Sequence, residues 1–240
     1  MTKARQALLA RLTGSLPVHG SIVGVATEER TVVITYGDGP SPDGTPGVLD
    51  ALAEAGATAT FFVLVGRARK YPELLERIVA GGHELALHGD DHVRLTDFSE
   101  EVAYRRTLAA KQELEQLSGQ PIEWFRPPYG AQSIETWQAV KRAGLQTVLW
   151  TATAWDVKDV GEHERVAHAV RHCHQGSILL AHDGFAGPAD GVDDGPEPEV
   201  DRGALAAELL SGFAREGLVG RSLGEALREG KAVRRARFTE

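Results

Sequence analysis

The chain alternates between short apolar runs and amphipathic stretches, which predict strands and helices respectively. Runs rich in β-branched and aromatic residues predict strands at 22–26, 31–34, 57–65, 84–87, 124–125, 146–150 and 177–181. Helical patterns bounded by capping residues, Pro and Gly occur at 45–56, 72–81, 99–119, 133–143, 163–174, 202–217 and from 222 onward. This alternation predicts an α/β protein built on a parallel sheet or barrel.

The same pattern predicts one domain with a short extension. An amphipathic stretch at 3–12 predicts a helix, so we assign residues 1–21 to an N-terminal helical extension. Residues 22–240 show no internal repeat and no linker, and this length suits a single α/β domain with a full core. A stretch rich in Gly, Pro and Asp at 185–200 predicts an unusually long loop.

Net charge and cysteine content narrow the class of protein. A formal net charge of −8 argues against nucleic acids and anionic membranes as partners. The single cysteine, Cys173, excludes an internal disulfide and a zinc cluster built on thiols. No apolar run approaches the roughly 20 residues that span a bilayer, and the apolar segment near the N-terminus is too short for a signal peptide. We therefore expect a cytoplasmic protein, whose oligomeric state the sequence does not indicate.

Polar residues that can carry chemistry follow several predicted strands. Asp38 comes after the run at 31–34, whereas His88 comes after the run at 84–87 and is followed by His92. Active sites of α/β proteins collect at the carboxyl ends of parallel strands, so these side chains are expected to lie together. One Asp and two His with an open position can hold a catalytic divalent metal. Considered singly, an Asp before Gly-Pro is a common turn residue, and paired histidines are commonly found in surface loops.

Three further residues, Arg126, Asp156 and His182, also come soon after predicted strands. Each has a simpler interpretation: a surface salt bridge for Arg126, a helix cap or solvated loop acid for Asp156, and a satisfied core histidine for His182. Trp155 is a candidate for stacking against a sugar ring. Their placement near one edge of the predicted sheet favours a shared site.

Five segments that contain these residues resemble, in order, the motifs of the polysaccharide deacetylase family, the NodB-homology carbohydrate esterases of family four. They are 35–40 (Thr-Tyr-Gly-Asp-Gly-Pro), 88–92 (His-Gly-Asp-Asp-His), 126–129 (Arg-Pro-Pro-Tyr), 149–156 and 180–182 (Leu-Ala-His). The resemblance covers nearly the whole chain from Ile22 to the last helix. It implies an α/β fold in the form of a distorted, incomplete (β/α) barrel.

The resemblance also implies a role for each motif residue. The divalent metal, most often zinc, with cobalt or nickel as alternatives, would be held by Asp38, His88 and His92. His182 would protonate the leaving amine and Asp156 would orient it. Arg126 and the backbone amide of Tyr129 complete the implied catalytic set, the amide by holding the oxyanion. Substrate binding is assigned to Trp155 and Pro128.

One departure from the family pattern bears directly on the reaction. Gly37 stands where the family has an Asp that acts as general base and is braced by Arg126. A buried arginine without this partner is costly, so Asp43, Asp90, Asp91 or an anionic group of the substrate should balance it. The absence of this base has three possible explanations. Asp90 or Asp91 could replace it, or hydrolysis could proceed without a dedicated base or with one that the substrate supplies. Alternatively, the metal could serve another reaction or only binding.

The function predicted from these observations is metal-dependent hydrolysis of a linear C–N bond. The substrate is expected to be a soluble N-acetylated sugar or a small biosynthetic metabolite, because a cytoplasmic enzyme does not meet extracellular polymers. The alternative is a protein with the deacetylase fold that binds a metal or a ligand without hydrolysis, which the glycine at position 37 favours.

Overall fold

A computed structural model describes residues 20–239 of the chain. Its strands are β1 (Ser21–Ala26), β2 (Thr31–Gly37), β3 (Thr60–Leu64), β4 (Glu84–Gly89), β5 (Trp124–Phe125), β6 (Gln146–Thr147), β7 (Ala152–Thr153), β8 (Ile178–His182), β9 (Val219–Arg221) and β10 (Lys231–Arg235). Its helices are α1 (Thr45–Glu54), α2 (Val65–Lys70), α3 (Pro72–Ala80), α4 (Glu100–Ser118), α5 (Ile134–Arg142), α6 (Glu162–His172), α7 (Arg202–Arg215) and α8 (Leu223–Glu229). The helix predicted at 3–12 lies outside the described residues.

The principal sheet has eight parallel strands and curls into a half-barrel, which confirms the expected distorted and incomplete (β/α) barrel. Its strand order is β6-β5-β4-β3-β2-β8-β7, and β9 pairs with the first residues of β2. Strand β1 lies outside this sheet and pairs antiparallel with β10. Because all strands of the half-barrel run the same way, their carboxyl ends meet at one edge.

Strand β2 occupies the centre of the half-barrel and is buried along its whole length. Its side chains alternate between two faces, as any strand requires. Val32, Ile34 and Tyr36 pack into the larger apolar cluster, which contains residues of α1 and α7. Val33 packs into a second cluster on the other face. Alternation places Thr35 and Gly37 on that second face, so the glycine faces the inside of the half-barrel.

Several elements differ from the sequence prediction because local pattern does not determine them. Strands β7, β9 and β10 and helix α2 were not predicted, and β6 is shorter than the run at 146–150. Strands β7 and β9, of two and three residues, are too short to show a period of two. On α4, Leu117 is 39% exposed. The inner face of that helix is formed mainly by small or short residues, Ala103, Thr107, Ala110 and Leu114.

Helix α1 begins at Thr45, as predicted. Threonine is a residue type that favours the N-cap, but the cap position is Gly44 and Thr45 is already helical. The Thr45 hydroxyl is engaged elsewhere, since it donates to Oδ2 of Asp183 at 2.6 Å and accepts from the Ser41 amide at 2.7 Å. The Thr45 hydroxyl therefore makes a long-range hydrogen bond and does not cap the helix.

The predicted long loop at 185–200 is confirmed and contains only a short 3-10 turn, Pro188–Asp190. The Arg67 guanidinium on α2 holds it by donating to both carboxylate oxygens of Asp190, at 2.8 and 2.6 Å. The backbone amide of His92 donates to the carbonyl oxygen of Asp190 at 2.9 Å. The loop is therefore fixed beside the carboxyl end of the sheet. Across residues 20–239, none of the helices has the length and apolarity needed to cross a bilayer.

Candidate active site

An Asp and two His meet at the carboxyl end of the half-barrel. Asp38 follows β2, His88 belongs to β4 and His92 follows it after a short turn. Oδ1 of Asp38 lies 3.2 Å from Nε2 of His88 and 3.5 Å from Nε2 of His92. All three residues are buried, and one ligand atom from each lies within 4.8 Å of the others. The structure thus brings together the three residues predicted to hold a metal.

The protonation of this cluster suits a divalent cation. Nδ1 of His88 lies 2.7 Å from the carbonyl oxygen of Arg126, a contact that orients the ring so that Nε2 faces Asp38. Burial, together with the charge of His88, lowers the pKa of His92 to about 4. Burial would raise the pKa of Asp38, but the neighbouring His88, His182 and His92 hold it well below its usual range.

Two atoms of the cluster are left without partners. Oδ1 of Asp38 and Nδ1 of His92 are buried, and neither has a hydrogen-bond partner among residues 20–239. Buried polar atoms are normally satisfied, so an orphaned carboxylate oxygen between two imidazoles indicates an absent ligand. An Asp and two neutral His form a donor set that zinc and similar divalent ions accept. The residues present therefore fit the metal that the sequence predicts.

The second part of the site is a histidine–carboxylate pair. Nδ1 of His182, at the end of β8, lies 3.1 Å from Oδ1 of Asp156, and Oδ2 accepts the His182 backbone amide at 2.6 Å. Burial acts to lower the pKa of His182, but the charge and hydrogen bond of Asp156 outweigh it and raise the pKa. Asp156 therefore fixes the ring and favours its protonated form, as a general acid requires.

Arg202 supports this pair, and the sequence analysis did not find it. Its Nη1 donates to the carbonyl oxygen of His182 at 3.0 Å and lies 3.7 Å from Oδ2 of Asp156. Its Nη2 donates to Glu197 in the long loop at 3.0 Å. Arg202 is the first residue of α7, where a basic residue has no typical capping role. Only the fold brings it to the site.

Arg126 is buried without a carboxylate partner. Its side chain is 1% exposed, Nη1 donates to the Thr35 hydroxyl at 2.9 Å, and Nη2 has no partner among residues 20–239. Its guanidinium lies over the ring of Phe62, with Cζ 3.9 Å from the ring centroid. Burial lowers the pKa of Arg126 to about 9, opposed only by the charge of Asp38. The predicted absence of its usual partner therefore leaves a guanidinium nitrogen unsatisfied.

The acidic residues proposed to balance Arg126, or to replace the base, do neither. Asp90 pairs with Arg69 on α2 at 3.0 Å, and Asp91 accepts two hydrogen bonds from Arg106 on α4, both at 2.7 Å. Asp43 is exposed. These predictions were wrong because neighbouring helices supply arginines that the local sequence of the second motif does not reveal.

A pocket of about 390 Å³ opens above these residues. Its lining consists of Asp38, His88, His92, Arg126, Pro127, Tyr129, Gly130, Trp150, Val157, Leu180, His182, Phe185, Ala186, Asp194, Pro196 and Pro198. The hydroxyl of Tyr129 donates to Oδ2 of Asp194 in the long loop at 2.6 Å. Tyr129 has a φ of +60°, and its ring centroid lies 4.5 Å from that of His92. The long loop and the third motif thus form opposite parts of the pocket lining.

Both residues assigned to substrate binding lie outside this lining. The Trp155 ring stacks on His168 with 3.5 Å between centroids, and Nζ of Lys158 lies 3.6 Å from its centroid. Trp155 is therefore engaged by its own loop and by α6, and no part of it lines the pocket. Pro128 is buried and is not part of this lining, whereas Pro127 is. Trp150 and Val157 line the pocket instead.

Asp183 is a further buried carboxyl group that the sequence analysis missed. It follows His182 directly and accepts the Thr45 hydroxyl at 2.6 Å. Burial raises its pKa to about 6, despite this hydrogen bond and the charge of Arg202. A Cβ at Gly39 would lie 2.1 Å from Oδ2 of Asp183, so this glycine is required by close packing. In the sequence, its position directly after His182 was the signal that could have identified Asp183 as part of the site.

Comparisons with known proteins agree with this geometry. Residues 24–148 match the family model described as polysaccharide deacetylase. The peptidoglycan-N-acetylglucosamine deacetylase of Bacillus cereus is 35% identical over 165 residues, 67% of this chain and 76% of the relative. The chitooligosaccharide deacetylase of Azorhizobium caulinodans is 33% identical over 171 residues, 70% of this chain and 81% of the relative. Among solved structures, a wild-type CE4 family pseudoenzyme from Bacillus anthracis has a TM-score of 0.76 at 19% identity, covering 87% of this chain and 69% of that one.

Proposed function

Because the chain belongs to the polysaccharide deacetylase family, we propose that it releases acetate from an N-acetylated carbohydrate or a related small molecule. Family membership confirms the resemblance found in the sequence and the predicted enzyme class, an amide hydrolase. The observation that carries the proposal is the convergence of the Asp38–His88–His92 cluster and the His182–Asp156 pair on one pocket.

The three residues Asp38, His88 and His92 would hold the divalent ion, for which we propose zinc, with cobalt or nickel as alternatives. Such an ion polarises the amide carbonyl and makes water more acidic. The chain supplies the remaining functions. The pocket encloses the acyl group between apolar side chains, and the Tyr129 backbone amide is proposed to donate to the carbonyl oxygen as negative charge develops on it.

Proton transfer to the leaving nitrogen is assigned to His182. Its Nδ1 is held by Asp156, which leaves Nε2 on the side of Gly37 and the metal cluster. A protonated Nε2 donates to the amine as the C–N bond breaks, and Asp156 stabilises the charged ring before transfer. In the fold, Asp156 therefore acts by fixing the tautomer and the orientation of His182.

The base remains the point at which this chain departs from its family. Gly37 has no side chain, and the engagement of Asp90 and Asp91 with arginines removes both proposed substitutes. We propose that hydrolysis proceeds without a dedicated side-chain base. A general base contributes about 10²–10⁴-fold to rate, so its absence slows the reaction rather than abolishing it.

For the substrate, we propose a soluble molecule with one or a few rings, in the cytoplasm. The long loop supports this size, because Phe185, Asp194 and Pro196 border the pocket and Asp194 is tied to Tyr129. The pocket volume of about 390 Å³ falls in the range of small-ligand sites.

Acetate release from a panel of N-acetylated substrates tests the proposed function. The panel would contain N-acetylglucosamine, chitooligosaccharides and peptidoglycan fragments, assayed with added zinc, cobalt or nickel and after chelation. We expect metal-dependent release that is fastest on the smallest substrates and is lost in Asp38→Asn. Asp90→Asn, which removes an exposed acid paired with Arg69, is the matched control and should retain activity. Metal binding without acetate release from any substrate would contradict the proposal and favour the non-hydrolytic alternative.

A further inference from the structure

We propose that the space beside Gly37 and the guanidinium of Arg126 form a subsite for a carboxylate carried by the substrate. The preferred substrate would then be an N-acylated molecule with a carboxylate close to the amide, an inference that rests on the proposed function. Four observations support it: an unsatisfied buried nitrogen, a glycine that the backbone conformation does not require, a shared strand face and flat surroundings.

The unsatisfied nitrogen is Nη2 of Arg126. The side chain is 1% exposed, and this nitrogen has no hydrogen-bond partner among residues 20–239. Arg126 lines the pocket, so a ligand there can reach it. A buried guanidinium without a counter-ion is costly, and a carboxylate is the ligand that matches its planar donors. The site therefore lacks one anion.

Gly37 leaves room for that anion. Its φ is not in the left-handed region, so backbone conformation does not require glycine here. The nearest neighbours of a Cβ here would be imidazole atoms, Cδ2 of His182 at 3.3 Å, a tight contact to which the ring would have to yield, and Nε2 of His88 at 3.9 Å. Gly39, two residues later, differs because a Cβ there would collide with Asp183. Glycine is thus required by packing at position 39, whereas at position 37 only side-chain rings would have to shift.

The glycine and the guanidinium share one face of the sheet. Thr35 and Gly37 are two residues apart in β2 and therefore lie on the same face of the sheet. The Thr35 hydroxyl accepts a hydrogen bond from Nη1 of Arg126. Gly37 is the register partner of Phe62 in β3, and the guanidinium lies over the Phe62 ring. A carboxylate beside Gly37 would therefore be next to Nη2.

The surroundings favour a carboxylate over a phosphate. The guanidinium lies 3.9 Å over Phe62 and 5.6 Å from the centroid of Trp150, and the rings of His88 and His182 border the glycine. Flat aromatic walls suit a planar anion better than a tetrahedral one. The nearby negative charge is Asp38, which is surrounded by histidines and would also be offset by a bound divalent ion.

Binding of acetate tests the subsite without catalysis. Metal-free protein would be titrated with sodium acetate at constant ionic strength and followed by tryptophan fluorescence, since Trp150 is close to Arg126. We expect saturable binding to the unmodified protein and binding weaker by about tenfold or more in Gly37→Asp, whose own carboxylate fills the space. Arg126→Lys, which keeps the charge but loses the planar fork, should also bind more weakly. Arg105→Gln removes an exposed arginine and is the control. Equal affinity in Gly37→Asp and the unmodified protein would overturn the subsite.

A matched pair of substrates tests the effect on specificity. Acetate release would be compared for N-acetylmuramic acid and its methyl ester, which differ in the negative charge and in one methyl group. We expect kcat/KM to favour the acid by about tenfold or more in the unmodified protein. Gly37→Asp should favour the ester, because the new carboxylate repels the acid. The same kcat/KM for acid and ester in the unmodified protein would overturn the proposed substrate class.

Failure of the subsite and failure of the proposed function give different results. If Gly37→Asp releases acetate from neutral substrates while the unmodified protein acts on neither acid nor ester, the fold is competent for deacetylation and the carboxylate inference is wrong. If no variant releases acetate but acetate binding depends on Arg126 and Gly37, the anion site is real and the deacetylase proposal is wrong.

Discussion

Buried charged side chains are paired in one region of the pocket and unpaired in another. In the paired region, defined by Asp38, His88, His92, Asp156 and His182, each carboxylate lies within 3.5 Å of at least one imidazole nitrogen. In the unpaired region, defined by Arg126 and Gly37, a guanidinium is equally buried, but no carboxylate among residues 20–239 pairs with it. The chain thus retains the groups expected to bind a metal and to protonate a leaving amine, while the counter-ion of its buried arginine is missing.

The comparison bears on how the loss of one side chain should be interpreted. If the whole site were in decay, the paired region would be expected to lose its geometry as well, and it has not. The structure instead shows a local change, a buried guanidinium nitrogen without a hydrogen-bond partner among residues 20–239. That pattern is expected of a site that takes the missing charge from its ligand.

The largest expected effect comes from breaking the paired region at Asp38. Asp38→Asn removes the anionic ligand between His88 and His92. Even residues that only orient metal ligands contribute about 10–100-fold to affinity, so loss of a direct ligand should weaken zinc binding by more than about 100-fold. Activity should fall to background. Calorimetric zinc titration of the metal-free protein measures this, with Asp90→Asn as control. Unchanged zinc affinity would show that the metal is held elsewhere.

The next effect comes from separating His182 from its orienting acid. Asp156→Asn should lower kcat by about 10²-fold, at the lower end of what acid–base groups contribute. Asp156 raises the pKa of His182, and an acid loses its proton as pH rises through its pKa. The alkaline limb of kcat should therefore move to lower pH in the variant. Asp159→Asn, on the same loop but exposed, should leave the profile in place. An unmoved alkaline limb in Asp156→Asn would assign the proton to another group.

The paired region was largely predictable from sequence, and the reason is local. The apolar β-branched run before Asp38 identifies a buried strand, and strand ends in α/β folds meet at one edge. Asp38, His88, Asp156 and His182 could therefore be placed together without a structure. The position of a polar residue at a strand end can therefore be predicted from the local sequence.

The unpaired region and the pocket walls were less predictable because contacts between distant segments determine them. Asp90 and Asp91 looked available to Arg126, yet arginines from two helices bind them. Arg202 reaches His182 from the far side of a long loop. Trp155 was expected in the pocket, but its ring is stacked on His168 of α6. No spacing rule relates these partners.

Asp183 tests the effect of burying a carboxyl group near the paired region, where the Thr45 hydroxyl donates to it at 2.6 Å but burial still dominates its pKa. Its folded pKa of about 6 lies above the ordinary value of 3.8. The folded state therefore holds a proton that the unfolded state releases, and stability falls as pH rises through this window. Two units correspond to about 3 kcal/mol.

Asp183→Asn should remove this loss of stability at higher pH. Its free energy of unfolding should exceed that of the unmodified protein by up to about 3 kcal/mol above pH 7, with the gain disappearing below about pH 4. Urea unfolding of the metal-free proteins across this range measures it. Asp43→Asn, at an exposed acid, should show no such trend. A gain that does not depend on pH would mean that packing, and not ionisation, explains the difference.

The smallest expected effect compares a paired and an unpaired arginine directly. Arg67 donates to both oxygens of Asp190, so Arg67→Met leaves a buried carboxylate with only the Gly187 amide as a donor among residues 20–239 and should lower the free energy of unfolding by about 1.5–3 kcal/mol. Arg126→Met removes the hydrogen bond to Thr35 and a long one from Nε to the Val148 carbonyl, but also an uncompensated buried charge. These changes oppose each other, so its stability should stay within about 1 kcal/mol of the unmodified protein.

Urea unfolding of both methionine variants, with and without acetate, separates the two arginines. Acetate should stabilise the unmodified protein and Arg67→Met, because ligand binding to the folded state adds to its free energy of unfolding. It should not stabilise Arg126→Met, which lacks the donor. If Arg126→Met instead loses as much stability as Arg67→Met, and acetate stabilises all three proteins alike, then Arg126 is balanced within the fold. The contrast between the two regions would then not describe the charges of this site.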